Sequence, residues 1–587
     1  MKAIIAEKPS VAREIAQLLQ ISEQKNGYLT GNGYCVTWAL GHLVSLAMPE
    51  DYNIQSFQKE SLPIIPNPFQ LTQKKIKKGK SYHPDPLATK QLRIIKEVFD
   101  QCSSIIVATD AGREGELIFR YIYDYLKCKK PFERLWISSL TEKAIAEGFK
   151  QLKARSDFDG LYHAGKARSE ADWLVGINAS QALSISGGDE VYSLGRVQTP
   201  TLALICKRFY EHQNFKSTKY WVIQLHHRKS YIDFTSQSSN QWEDQKSAEQ
   251  ILRFIERKGR AEVTDIQIKT VSEPAPLLFD LTALQKEANR KLGFSADETL
   301  QIAQSLYEKK FITYPRTGSR YIPEDLWTQI PELVRSLSVH EKYKYGVSKL
   351  QFGNFNKRMV NDLKVTDHYA LLITGKIPST VSAKENAVYD MIAFSLLESL
   401  SDACVKEISH IAITVNDYEF KAKGLKILQK GWRAIKGILS EHHENTDSLA
   451  DLPELKIGDE LNISQSEILE KITQPLKLYT EADVLSAMEN AGKLIEDKEV
   501  QKAIHTIGIG TPATRAAIIE TLLRRNYVER KNKLLTPTQK GLQVFELVKD
   551  TKIANVQMTA EWEMALHQIE QGESDEVDFL NHIKVYT

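Results

Sequence analysis

The stretch FITYPRTGS, residues 311–319, sets Tyr314 directly before a proline and two residues ahead of Arg316. A phenol with a pKa near 10 is a weak nucleophile at neutral pH, and a neighbouring guanidinium helps by holding the electrophile and stabilising its developing charge. Arginine's planar fork matches a phosphate. Pro315 drives Tyr314 away from helical backbone into an extended conformation. Residues two apart in an extended segment point the same way, so Tyr314 and Arg316 share a face. That pairing suits attack on a phosphate; the plainer reading is an aromatic in a turn with a solvated arginine.

Such a tyrosine needs acidic partners, and the candidates stand at strand ends. Glu7 follows the apolar run AIIA (3–6), and Asp110 closes SIIVATD (104–110). In open α/β sheets the chemistry collects beyond the carboxyl ends of strands, so two adjacent strands would bring these carboxylates to one crevice. Glu114 lies four residues past Asp110, within reach of the same point if a helix starts there. Oxygen donors of this kind suit Mg²⁺, which takes one or two protein carboxylates and fills its shell with water and phosphate oxygens. The plainer reading of Asp110 and Glu114 is as a helix cap and a first-turn acid, favoured by the helix dipole.

The elements around these residues follow from periodicity. Over 1–150, apolar runs alternate with helical patterns: AIIA precedes VAREIAQLLQ, and SIIVATD precedes ELIFRYIYDYL, which predicts a parallel α/β sheet. Residues 151–213 read as helical, 214–275 as alternating β, 276–404 as helical and 405–476 again as β. A helical domain inserted into a β domain gives that order. SADE (295–298) reads as a capping box opening a helix that delivers the chain into the tyrosine segment. From 477 to 587, a TEAD cap at 480–483, a helix ending near Gly492, a further helix and a hairpin across Lys531 and Asn532 predict a winged helix. The basic run KKIKKGK (74–80) reads as a solvated loop.

Composition excludes several classes. Lys plus Arg number 77 against 75 Asp plus Glu, so the formal charge of +2 gives no global case for a polyanionic partner, and any such case must be local. The opening MKAIIAEKPS has no signal-peptide core, and no run approaches the roughly 18 apolar residues of a membrane span, which predicts a cytoplasmic protein. Cys35, Cys102, Cys128, Cys206 and Cys404 form no CxxC pair, so no zinc is expected. NAGKL (490–494) lacks the upstream glycine and following Ser/Thr of a Walker A loop, so nothing announces ATP.

AEKPSVAREIA, TDAGREGELIFRYI, SLGRVQTP, FITYPRTGS, TDHYALLIT and GIGTPATRAAIIETLLRRNYV occur in this order over nearly the whole chain. With them the sequence closely resembles the type IA DNA topoisomerases, in particular the bacterial topoisomerase III group. The resemblance implies a multidomain fold of α/β, α and β parts: a Toprim domain (1–150), a winged-helix-like DNA-binding domain (151–213 and 477–587), a β arch (214–275 and 405–476) and a helical domain carrying the tyrosine (276–404), closed into a toroid. It implies an Mg²⁺-dependent, ATP-independent enzyme acting on single-stranded segments of DNA, as a monomer. Tyr314 would attack a phosphodiester and leave a 5′-phosphotyrosyl link, a second strand would pass, and the free 3′-hydroxyl would reverse the attack.

The same resemblance implies residue roles. Glu7 and Lys8 manage the proton of the leaving 3′-oxygen and stabilise the transition state; Arg316 contacts the scissile phosphate; His368 binds a phosphate. Arg168, four residues before Asp172, holds the DNA backbone. Ser193, Leu194, Gly195, Arg196, Val197 and Gln198 form a DNA-contacting loop, where the glycine permits close approach. Trp173 reads as core, whereas Arg515, at a helix start, reads as a DNA contact.

Two departures stand out. The family's acids usually read DxDxE, but here Gly112 takes the middle position, so Glu7 and Asp110 are expected to carry the metal, with Glu114 secondary. Many relatives continue into zinc-ribbon or basic tails, and this sequence ends at Thr587 without a CxxC, which implies weaker non-specific DNA binding. Two competing classes are a non-catalytic single-strand-binding scaffold and another Toprim phosphoryl-transfer enzyme. The intact Glu7, Lys8, Tyr314 and Arg316 argue against the first, and the tyrosine segment against the second.

Overall fold

The computed structural model describes residues 1–587 apart from 80, 140, 188–189, 438–451, 496–497 and 499–507. Its N-terminal part is built on a seven-stranded sheet. Four neighbouring strands, Phe132–Arg134, Ser104–Ala108, Lys2–Ala6 and Tyr34–Trp38, run parallel, and antiparallel strands flank them. Alternation explains why the central strands are apolar throughout. Ile4, Ala6, Ile106 and Ala108 face the helices Pro9–Leu18 and Glu142–Lys150, whereas Ala3, Ile5, Ile105 and Val107 face Pro86–Gln101 and Arg113–Tyr125. The last strand is Lys153–Ala154, so the sheet runs slightly past the expected boundary at 150.

The predicted insertion has a clear physical form. Six strands, from Lys219–Lys229 to Glu460–Ile472, close into a barrel, and the 276–404 helices leave it after strand Arg260–Glu273 and re-enter at Cys404–Val415. Barrel and helical insert keep separate apolar cores. The long helix Asp159–Ser186 packs against Arg113–Tyr125 of the sheet domain and against Val556–Gln571 and Glu576–Tyr586 near the C-terminus, so those segments share one core.

The winged-helix order is present: Glu481–Glu489, Pro512–Arg524, the hairpin Val528–Lys531 with Leu534–Pro537, then Gln539–Val548. Thr480 and Asp483 form the expected capping box. The hairpin turn lies one residue later than expected. Lys531 pairs with Leu534, and Asn532 and Lys533 take the left-handed φ values of 49° and 68° that a two-residue hairpin turn requires. Another correction concerns the basic run, where Lys75–Lys78 is a strand paired with Ser81–Pro84, Lys75 being neutralised by Asp51. The five cysteines are free thiols. Among the described residues no helix is long and apolar enough to cross a membrane.

Candidate active site

Strands Lys2–Ala6 and Ser104–Ala108 pair in register, Ala6 opposite Ala108, so Glu7 and Asp110 leave the sheet side by side. The Asp110 N–H donates to Glu7 Oε2 at 3.3 Å. A buried clamp holds this turn: Arg134 donates to the carbonyls of Thr109 and Asp110, both at 2.7 Å, and ion-pairs with Glu116, which also takes Arg120. Gly115 lets the following helix start this close, because a Cβ there would stand 2.1 Å from the Asp110 carbonyl oxygen. Neither the clamp nor Gly115 was legible as part of the site, since an arginine and a glycine in isolation carry no sign of what they approach.

Tyr314 arrives from the inserted helical domain. Ser295 caps the helix Ala296–Glu308 as expected, accepting from the Glu298 N–H, although Glu298 itself pairs with Lys384 rather than closing the box. Beyond the helix, Ile312 bridges Ile373, and the Thr317 hydroxyl donates to the His368 carbonyl at 2.8 Å, strapping the tyrosine segment to the TDHYA segment. The Lys8 ammonium lies 3.6 Å from the centre of the Tyr314 ring and 2.5 Å from Asp110 Oδ2. His368 stands edge-on to the same ring at 4.7 Å, with its Nε2 2.9 Å from Asp110 Oδ2. Thus Tyr314, Lys8, Glu7, Asp110 and His368 converge. Arg316 is exposed beside them and makes no hydrogen bond or ion pair among the described residues, which leaves its fork open to an anion.

The electrostatics follow from this packing. Burial, reinforced by the Asp110 charge, pushes the Glu7 carboxyl up to about 6. Burial alone would lower the Lys8 pKa, but Asp110 and Glu7 more than offset it and keep the ammonium charged. Asp110 resists its own burial through His368 and Lys8 and stays ionised. Burial raises the Tyr314 phenol, with Lys8 opposing.

Two adjacent carboxylates supply the oxygen donors that a hard cation such as Mg²⁺ takes, with water and phosphate completing the shell. Glu7 and Asp110 would hold it. Among the described residues no group of three or more His, Cys, Asp or Glu side chains is arranged as a ready-made metal site. Glu114 sits in the first turn of Arg113–Tyr125 as expected, but its carboxylate is taken by Arg168 and by His42 at 2.7 Å, which hold it at about 2 against the cost of desolvation. These three residues line a cleft of about 250 Å³ with Tyr121, Ser169 and Asp172. His42 was not anticipated.

Several expected DNA contacts are occupied internally. Arg196 is buried between Asp172 and Glu563, at 3.0 and 3.2 Å, over the ring of Trp562. Gln198 is buried and donates to the Ser193 carbonyl; Leu194 is buried too, while Ser193, Gly195 and Val197 remain half-buried. Arg515 is buried and donates to Thr282 and to the Ile509 carbonyl, joining the C-terminal helices to the insert. Trp173 is core, its indole N–H donating to the Ala47 carbonyl.

Comparison with known proteins agrees with this architecture. A DNA topoisomerase family model matches residues 156–581, and a Toprim domain model matches 2–140. The chain is 39% identical to DNA topoisomerase 3 of Bacillus licheniformis and covers 80% of that protein with 99% of its own length. It is 38% identical to DNA topoisomerase 3 of Bacillus subtilis, with the same coverage. Full-length topoisomerase I of Thermotoga maritima shares the fold at a TM-score of 0.71 and 23% identity, over 99% of this chain and 89% of that one. A sheet domain whose strand-end acids meet a tyrosine from a barrel-inserted helical domain, together with near full-length similarity to topoisomerase 3 proteins, places this chain in the type IA DNA topoisomerase family.

Proposed function

We propose that Tyr314 is the nucleophile of a cleavage site for single-stranded DNA, and that the enzyme is Mg²⁺-dependent, ATP-independent and able to decatenate as well as relax DNA with single-stranded regions. The observation that carries this reading is the Lys8 ammonium lying against both the Tyr314 ring and Asp110. In the proposed step the Tyr314 oxygen bonds to phosphorus while the bond from phosphorus to the 3′-oxygen breaks. The phenol gives up its proton to solvent as the 3′-oxygen takes one up. Glu7, at the strand end beside Asp110, is the group that supplies that proton. Lys8 stabilises negative charge on the tyrosine and phosphate oxygens, and Arg316 holds the phosphate. A bound Mg²⁺ would add charge neutralisation at the phosphates. The ester conserves the energy of the broken bond, so rejoining requires no ATP.

Strand passage requires an interface that parts. The apolar core of the 276–404 insert includes no residue of the N-terminal sheet domain, whereas that domain shares a core with the helices at 159–186 and 556–586. Polar contacts join sheet domain and insert: His368 to Asp110, and Thr141 and Ser139 to Asp325. This supports parting of these two domains as the gate.

The test is incubation with an end-labelled single-stranded oligonucleotide and Mg²⁺, a denaturing quench, and a search for labelled protein. A 5′-linked adduct with wild type and none with Tyr314→Phe is expected, with oligonucleotide binding retained in the variant. An adduct from Tyr314→Phe would assign the nucleophile elsewhere, and full activity in EDTA would remove Glu7 and Asp110 from a metal role.

A further inference from the structure

The ring of Tyr314 is bounded on three sides: by Lys8, by His368 and, edge-on at 5.3 Å, by Tyr307. Tyr307 lies in the last turn of Ala296–Glu308 and packs its ring on the core of the insert. Its hydroxyl leaves that core and lies 2.8 Å from the Ser10 hydroxyl of the sheet domain. Ser10 stands two residues beyond Lys8, in the first turn of Pro9–Leu18. Two tyrosines seven residues apart therefore grip two residues of a single turn: Lys8 against Tyr314, and Ser10 against Tyr307.

We infer that Tyr307 is a positioning residue for strand cleavage, which sets the Tyr314 ring only while its hydroxyl is engaged with Ser10, so that nucleophile alignment and closure of the gate are one event. Because both grips originate on the same rigid turn, moving the sheet domain off the insert breaks them together. The ring contact needs only an aromatic side chain, which phenylalanine supplies equally well. The hydroxyl is needed only for the link to Ser10, and the apolar core of the insert, on which the Tyr307 ring packs, includes no residue of the sheet domain that would otherwise fix their spacing. A polar contact at this interface suits a joint that must break and re-form in every cycle, because its partners are satisfied by water when it opens.

The inference rests on Tyr314 being the nucleophile, and the experiment separates the two. Single-turnover cleavage and rejoining of a labelled single-stranded oligonucleotide are measured for wild type, Tyr307→Phe, Ser10→Ala, the double variant and Tyr314→Phe, alongside non-covalent binding in EDTA and the thermal midpoint. A hydrogen bond contributing about 1 kcal/mol corresponds to about fivefold in rate. Tyr307→Phe is expected to slow cleavage and rejoining each about fivefold, with binding and thermal midpoint unchanged; Ser10→Ala should match it, and the double variant should be no slower. Wild-type rates in Tyr307→Phe overturn the inference. So do losses that multiply in the double variant, or a fall in binding and thermal midpoint that follows the fall in rate. An adduct from Tyr314→Phe overturns the nucleophile assignment and this inference with it.

Discussion

The carboxyl group of Asp367 occupies the space in front of Gly112: a Cβ on that glycine would stand 2.6 and 2.7 Å from its two oxygens. Position 112 thus carries no side chain of its own, while a carboxylate from the inserted domain faces it. Gly112→Asp should press two like charges together beside Asp110. We expect a loss of about 1–3 kcal/mol in stability, the range for overpacking. Gly112→Asp combined with Asp367→Gly should recover most of it. A double-mutant cycle on thermal unfolding and adduct yield measures this, and additive losses would show that the two positions do not meet.

Gly115 has less room still, since backbone rather than a movable side chain opposes it. Gly115→Ala must displace either the Asp110 carbonyl or the start of the helix Arg113–Tyr125. Cleavage should fall by at least about tenfold, as expected when a supporting residue shifts a reacting group by a fraction of an ångström. Single-turnover cleavage of an oligonucleotide reads this directly, and wild-type rates would show that the turn relaxes freely.

Glu114 neutralises Arg168 beside the cleft. If Arg168 contacts the DNA backbone, Glu114→Gln should tighten single-strand binding by about threefold to tenfold at low salt, because a cation is released for phosphate, and should steepen the salt dependence by about one ion. A Glu114 that chiefly serves the metal would instead leave binding in EDTA unchanged and raise the Mg²⁺ concentration needed for cleavage. Fluorescence anisotropy over a salt series distinguishes the two outcomes.

His227 is fully buried in the barrel with its Nε2 2.8 Å from the Ser236 hydroxyl, and burial, which disfavours its charged form, pushes its pKa down to about 4. Its folded pKa lies below the ordinary value of 6.5, so the unfolded chain binds the extra proton between pH 6.5 and 4. Stability therefore falls as the pH drops through that window, by on the order of 3 kcal/mol. Urea unfolding followed at pH 7 and pH 4.5 should show this loss, and His227→Gln should reduce it. Equal acid sensitivity in the variant would place the titrating group elsewhere.

Much of the architecture is legible in the sequence. Period-2 and period-3.6 patterns depend on local burial, so the parallel sheet, the inserted helical segment and the order of helices and hairpin near the C-terminus could be read along the chain. Pairing of Glu7 with Asp110 followed from both lying at strand ends, once those strands were neighbours. Turn placement was less exact, as the hairpin at Asn532–Lys533 shows, because a one-residue shift changes the register without altering the composition.

The sequence by itself determined which residue types were available: a tyrosine beside an arginine, acids and a lysine at strand ends, a histidine in TDHYA. Tertiary structure decided which of them are free to act. Arg168, Arg196 and Arg515 are equally basic as letters, yet Arg196 is buried between two acids, Arg515 is buried in an interdomain contact and Arg168 is paired at a cleft, whereas Arg316 is exposed. Charge availability depends on partners hundreds of residues away, such as Glu563 for Arg196. Ser10 with Tyr307 and Gly112 with Asp367 are likewise contacts between distant segments. No local pattern encodes them, because they exist only when one domain is folded against another.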